Sequence, residues 1–149
     1  MTTLPASGRI HFTGIGGAGM SAIAKVLHER GLEVSGSDLK STALTATLQA
    51  MGIPVTVGHD GSLVEGCSLA VVSSAIRENN PELKRARELG VAVMTRGEAL
   101  AAVLEGSRSI VVAGTHGKTT TTSMVVSVLR SAGADPTYLV GGGLNDAGT

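Results

Sequence analysis

The chain predicts an α/β fold built on a doubly wound, mostly parallel sheet, and three observations carry that prediction. Short runs of apolar and β-branched residues alternate with stretches of helical periodicity along most of its length. A glycine-rich turn follows the first strand directly and opens the first helix. Glycine or proline marks the ends of the periodic stretches. Strand–helix alternation of this kind places helices on both faces of a parallel sheet, with right-handed crossovers.

Ile10–Thr13 reads as a buried strand. From Ala18 to Arg30, Met20, Ile23, Ala24 and Leu27 recur at helical spacing, and Gly31 stops the helix. Glu33–Ser37 is the second strand. Leu44, Leu48 and Met51 form the next helical stripe, closed by Gly52, and Val55–Val57 is a short third strand. Leu69–Ser73 is the fourth. Pro81 opens a helix at its first position, where a missing N–H is harmless. Leu83, Ala86 and Leu89 share its inner face, and Gly90 ends it. Val91–Met94 is the fifth strand, and Glu98–Leu104 is a short helix. The boundary between two domains, 1–106 and 107–149, falls at Glu105-Gly106-Ser107-Arg108. Beyond it, Ile110–Ala113 reads as a new strand and Lys118–Ser131 as a helix carrying Met124, Val125, Val128 and Leu129 on one side. Tyr138–Val140 reads as the start of a further strand, and residues 141–149 as a loop. The expected architecture is Rossmann-like, followed by the strand–loop–helix opening of a second α/β domain.

Composition narrows the function. Of 149 residues 42% are apolar but only 1% aromatic, Phe12 and Tyr138, so the core is aliphatic. Twelve basic and twelve acidic residues cancel, which leaves no electrostatic footprint for nucleic acid. Cys67 is the only cysteine, so no intrachain disulfide forms and a reducing cytoplasm is expected. The first residues lack the features of a signal peptide, and no apolar run reaches the roughly 20 residues of a membrane span. Neither nucleic acid nor a membrane is an expected partner.

Two glycine loops carry the chemistry. Gly14-Ile15-Gly16-Gly17-Ala18-Gly19 contains G-x-G-x-x-G between a strand and a helix. Its first glycine permits the turn, the second lets a pyrophosphate approach the backbone, and the third lets the helix pack closely on the strand. Asp38 follows Gly19 by 19 residues, where such folds carry a ribose-binding carboxylate; alternatively Ser37-Asp38 caps the next element. Taken alone, this half also reads as an NAD-binding regulatory module. The second loop is Gly114-Thr115-His116-Gly117-Lys118-Thr119-Thr120. Its amides form a nest for phosphate oxygens, Lys118 supplies a charge at the β- and γ-phosphates, and the Thr119 hydroxyl is a ligand or near-ligand of Mg²⁺. The match is imperfect, because Val112 stands where the general pattern has its first glycine.

Both loops, with Val34-Ser35-Gly36-Ser37-Asp38, Gly58-His59, Ser73-Ser74-Ala75-Ile76 and Asn80-Pro81-Glu82-Leu83, resemble the Mur ligases from about Arg9 onward. The Gly-Ile-Gly-Gly-Ala-Gly-Met run favours the member that joins L-alanine to UDP-N-acetylmuramate. The resemblance implies a three-domain, ATP- and Mg²⁺-dependent enzyme of peptidoglycan precursor synthesis. In it the muramyl carboxylate takes up the γ-phosphoryl group as an acyl phosphate, and the amine of alanine then displaces phosphate. Carried onto this sequence, the first loop (Gly14, Ile15, Gly16, Gly17, Ala18, Gly19) takes the UDP pyrophosphate. Ser37, Asp38, His59 and Ser74 contact the UDP moiety. Gly114, Thr115, His116, Gly117, Lys118, Thr119 and Thr120 take ATP, with Lys118 and Thr119 in the catalytic role and Thr119 at the metal. His11, His28 and Cys67 read as structural. The family is roughly three times longer than this chain, so the expectation is a fragment that binds the UDP-sugar without ligating it. Self-association through helix 118–131 is a further expectation.

Overall fold

Polar and apolar side chains alternate along the central strand, and this alternation separates the two faces of the sheet. The structure, a computed structural model, describes residues 3–140. The chain divides into two compact units, Met1–Gly106 and Ser107–Thr149.

In the first unit, strands β1 (Arg9–Thr13), β2 (Glu33–Asp38), β3 (Val55–Val57), β4 (Cys67–Val72) and β5 (Ala92–Thr95) form one sheet in the order β3-β2-β1-β4-β5. Every neighbouring pair is parallel. The order reverses between β1 and β4, and the carboxyl ends of the strands at such a switch form a ligand crevice. Helices α1 (Ala18–Glu29), α2 (Ala43–Ala50) and α4 (Arg96–Leu104) pack together. Helix α3 (Pro81–Glu88) packs with a 3₁₀ turn, Gly61–Val64. Val64, Ala70 and Ala86 form a small apolar cluster under α3.

Along β1, Ile10 and Phe12 are fully buried on one face, and His11 and Thr13 are just as buried on the other. Register matches the pattern on β2: His11 lies beside Ser35, Thr13 beside Ser37, and Phe12 beside Gly36. One face of this strand pair is therefore apolar and the other is polar. A Cβ at Gly36 would lie 2.5 Å from Ile15 Cδ1 and 2.9 Å from the Phe12 carbonyl oxygen. The absent side chain is what lets Ile15 seat the loop against the sheet.

Most elements fall where periodicity puts them, with informative exceptions. Helix α4 starts at Arg96, two residues before the expected Glu98, because Thr95 and Glu98 form a capping box. Strand β4 starts at Cys67. The 3₁₀ turn has no counterpart in the sequence pattern; Asp60 starts it by accepting from the Ser62 amide at 2.8 Å. In α2 only Leu48 of the three stripe residues is buried, and Leu44 is 42% exposed.

The second unit departs further. Helix α5 (Lys118–Ser131) forms as expected, but no strand forms at Ile110–Ala113 or Tyr138–Val140. Ile110 and Val111 are 67% and 76% exposed. A strand exists through its neighbour, and none pairs with either segment among the described residues. The expected strand–loop–helix is thus a loop and a helix. On α5 the buried residue is Val126, while Met124 and Val128 are exposed. Arg130 lies over the Tyr138 ring at 5.1 Å. The expected loop at 141–149 lies outside the described residues.

Candidate ligand-binding site

The first glycine loop leaves the carboxyl end of β1, and its backbone amides divide into two groups. Gly14, at φ +83°, makes the turn, and the amides of Gly14 and Ile15 both donate to the Ser37 carbonyl at 2.8 and 2.9 Å. The Gly16 amide donates to Asp38 Oδ2 at 2.8 Å. The Gly17 amide leans on the Gly14 carbonyl at 3.4 Å. These four hold the loop in shape. The amides of Ala18 and Gly19, in the first turn of α1, have no partner among the described residues, and Gly17 provides no side-chain cap. An anion at this loop therefore meets the amino end of α1 rather than the whole run Gly14–Gly19.

The glycines also differ from their expected uses. A Cβ at Gly16 would lie 2.8 Å from Asp38 Oδ2. The close approach there is to a carboxylate of the protein. A Cβ at Gly19 would come within 2.6 Å of Arg96 Nη1. The third glycine thus makes room for the guanidinium of α4, not for a strand. Arg96 is exposed and makes no hydrogen bond or ion pair among the described residues. It places an unneutralised positive charge against the first turn of α1.

Asp38 ends β2 and is half-buried, with Oδ1 accepting from the Lys40 amide at 3.2 Å. Its position suits a ribose diol. Ser37 is placed differently from the expectation. It is fully buried, and its only hydroxyl proton goes to Glu82 Oε2 at 2.8 Å. Its part is to anchor the loop through its carbonyl rather than to present a side chain. His59, after β3, is partly exposed, with Nδ1 3.1 Å from Glu82 Oε1 and 3.0 Å from Ser37 Oγ. Ser74, after β4, is exposed and lines a cleft of about 340 Å³ with Ser73, Ile76, Thr95 and Arg96.

Glu82 is the residue the sequence did not disclose. It is fully buried at the amino end of α3, where the Asn80 side chain caps the helix by accepting from the Glu82 amide at 2.9 Å. Thr13 and Ser37 donate to Oε2 at 2.6 and 2.8 Å, and His11 Nε2 lies 3.2 Å away. The Asp60 amide donates to Oε1 at 3.3 Å, beside His59. Burial pushes this carboxyl up, but hydrogen bonds from His11, Thr13 and Ser37, with the charge of His11, outweigh burial and hold it down at about 2. His11 is closed on its other side by Ser35 Oγ at 3.0 Å. His28 Nε2 sits 3.0 Å from the Met51 carbonyl, and Cys67 points at the Leu63 carbonyl with a thiol that burial pushes up.

The second loop ends at Gly117, whose left-handed φ of +79° starts α5 without a side-chain cap. Lys118 folds back and donates through Nζ to the carbonyls of Gly114 and Thr115. Its charge therefore sits across the mouth of the loop, beside the free amides of the first helical turn. Thr115, His116, Thr119 and Thr120 are exposed. These groups suit the phosphates of a nucleotide. For a metal the loop offers threonine hydroxyls, Thr119 among them, and no carboxylate, and the described residues contain no cluster of three or more His, Cys, Asp or Glu able to hold an ion.

Residues 9–108 match a family model described as "Mur ligase family, catalytic domain". The chain belongs to the Mur ligase family. It is 56% identical over 142 residues to the UDP-N-acetylmuramate–L-alanine ligase of Streptomyces griseus. It is 52% identical over 139 residues to the protein of that name in Burkholderia thailandensis. The matches cover 95% and 93% of this chain and 30% of each relative. The chain thus spans about 30% of the length of the curated relatives it matches. Among solved structures, the UDP-N-acetylmuramate–alanine ligase of Thermotoga maritima superimposes with a TM-score of 0.88 at 39% identity, over 93% of this chain and 33% of that one. The UDP-N-acetylmuramate:L-alanyl-γ-D-glutamyl-meso-diaminopimelate ligase of Neisseria gives the same TM-score at 35% identity, over 96% and 45%. No helix among the described residues of this Mur ligase chain is long and apolar enough to cross a membrane.

Proposed function

We propose that this chain provides the UDP-N-acetylmuramate-binding part, and the phosphate loop for ATP, of a UDP-N-acetylmuramate–L-alanine ligase acting in the cytoplasm. The observation that carries the proposal is the pair of capless helix amino ends, each behind a glycine turn and each accompanied by one cation. At α1 the free amides of Ala18 and Gly19 lie beside Arg96. At α5 the Gly117 turn lies beside Lys118. Two such cradles serve two phosphorylated ligands. The names of these relatives suggest the chemical identity.

In this reading the diphosphate of the UDP-sugar rests on the amino end of α1 and Arg96. Asp38 takes the ribose hydroxyls, His59 faces the uridine, and Ser74 lies on the side of the cleft toward the sugar. At the second loop Lys118 neutralises the β- and γ-phosphates of ATP, and Thr119 gives one ligand to Mg²⁺. The reaction it serves is activation of the muramyl carboxylate as an acyl phosphate, followed by attack of the alanine amine. Catalysis then rests on positioning and charge neutralisation. In this reading the 149-residue chain, about 30% of the length of the relatives that carry the ligase name, binds the UDP-sugar without ligating it.

Calorimetric titration of the chain with UDP-N-acetylmuramate tests the proposal. Saturable binding that UDP competes away is the expected result. No heat at millimolar ligand, together with NADH fluorescence enhanced on mixing, would replace the proposal with a dinucleotide-binding module.

A further inference from the structure

The polar face between β1, β2 and α3 contains more than buried bonding. Among the described residues, every buried side-chain nitrogen and oxygen has a hydrogen-bond partner. His59 has partners at Nδ1 only. Its Nε2 therefore reaches the surface, at the carboxyl end of β3 and beside the end of β2 that carries Asp38.

The protons around Nδ1 can be assigned by elimination. Ser37 has one hydroxyl proton, and it goes to Glu82 Oε2 at 2.8 Å. Toward His59, 3.0 Å away, Ser37 Oγ can only accept. Glu82 Oε1, 3.1 Å from Nδ1, belongs to an ionised carboxylate and also only accepts. With two acceptors against it, Nδ1 carries the hydrogen. In a neutral imidazole, the other nitrogen is then bare.

We propose that Glu82 is a positioning residue that fixes His59 as the Nδ1–H tautomer, so that its bare Nε2 selects a hydrogen-bond donor on the nucleoside of the bound ligand. The donor is the imide N–H of uracil or a ribose hydroxyl; both present the same chemistry to Nε2. The ligand half of this statement rests on the UDP-sugar reading above. The tautomer half does not. The remaining donors to Glu82, from Thr13, His11 and the Asp60 amide, give the carboxylate a fixed orientation, and α3 gives it a fixed place. A helix-borne carboxylate acting on a loop histidine is a common way to fix ring orientation and proton position.

The test starts with the unaltered 149-residue chain and needs no ligand. Long-range ¹H–¹⁵N NMR of histidine-labelled protein, recorded at mildly alkaline pH, reads both nitrogens of each ring, and His59→Asn identifies the His59 signals. A pyrrole-type Nδ1 with a pyridine-type Nε2 is expected; a protonated Nε2 overturns the assignment. In Glu82→Gln the carboxamide can present an N–H to Nδ1, and the ring proton should shift in part to Nε2. An unchanged tautomer in a folded Glu82→Gln chain also overturns the role of Glu82. If that variant does not fold, the signals of the unaltered chain still decide.

Calorimetry with UDP, CDP and 2′,3′-dideoxy-UDP then identifies the donor. An at least tenfold loss with CDP that disappears in His59→Asn marks the imide N–H. A loss with dideoxy-UDP marks a ribose hydroxyl as the partner of His59 only where it too disappears in His59→Asn, since a loss that persists belongs to Asp38. Equal binding of all three removes the selecting role from His59. If UDP itself fails to bind while the tautomer is as expected, the UDP-sugar reading falls and the Glu82–His59 coupling stands without a ligand.

Discussion

Gly36→Ala is the substitution that best tests how the sheet shapes the loop. A methyl group there would lie 2.5 Å from Ile15 Cδ1, 2.8 Å from Ile15 Cβ and 2.9 Å from the Phe12 carbonyl oxygen. The Cδ1 contact can be relieved by rotating the side chain. The other two cannot, because relief of about half an ångström must come from the backbone of β1 or of the loop. Overpacking of this kind costs about 1–3 kcal/mol. Alanine offsets about 0.4–1 kcal/mol of that by restricting the unfolded chain. A net loss of about 1–2 kcal/mol remains, and each kcal/mol lowers the midpoint by about 4–8 °C in a unit of this size. Ile15 is the neighbour that must yield, so the loop shifts and affinity for UDP-N-acetylmuramate falls with stability. Gly52→Ala is the control. Gly52 has φ +90°, and a methyl group added to it would meet nothing within 4 Å. It should lose about 1–2 kcal/mol to left-handed strain alone and keep its affinity. Thermal unfolding by circular dichroism and calorimetric titration measure both quantities. A Gly36→Ala chain that melts and binds like the unaltered one would refute the argument that this glycine seats the loop.

Two further outcomes concern stability. Glu82 has its folded pKa depressed from 4.5 to about 2, so its contribution is complete above about pH 4.5 and is lost as pH falls toward 2, a swing of roughly 3 kcal/mol; urea unfolding across that range should show the slope, and Glu82→Gln should flatten it. Thr95→Ala removes the cap that accepts from the Glu98 amide at 3.3 Å and should destabilise the first unit by about 1 kcal/mol, read as a lower urea midpoint at unchanged slope.

The sheet is legible in the sequence because its information is local. Aliphatic strands, helical stripes and glycine stops put each strand and α-helix of the first unit within a few residues of its place, while the 3₁₀ turn at Gly61–Val64 leaves no such pattern. The second unit is less so: Ile110–Ala113 has strand composition, yet composition provides no neighbour, and Ile110 and Val111 remain exposed. The glycine turn and the place of Asp38 at the end of β2 are legible from spacing. Ser37 misleads because a serine beside a carboxylate at a strand end looks like a ligand contact, whereas its hydroxyl points into the polar face. Glu82 looks like an ordinary acid in a helix's first turn, since its partners lie 22 to 71 residues away. A signal exists nonetheless. His11 and Thr13, and Ser35 and Ser37, repeat polar residues at every second position on two strands that should be buried, and a buried polar stripe requires a buried partner.

Arg96 carries a consequence for how the first unit must be assembled. The glycine turn is written between residues 14 and 19, but the guanidinium that rests on it comes from the first residue of α4, directly after the edge strand β5. The turn is therefore only half of an anion receptor until the last helix of the unit docks. Electrostatic competence thus depends on that docking, and a unit in which α4 is undocked, though it already displays the glycine signature, would hold phosphate with backbone alone.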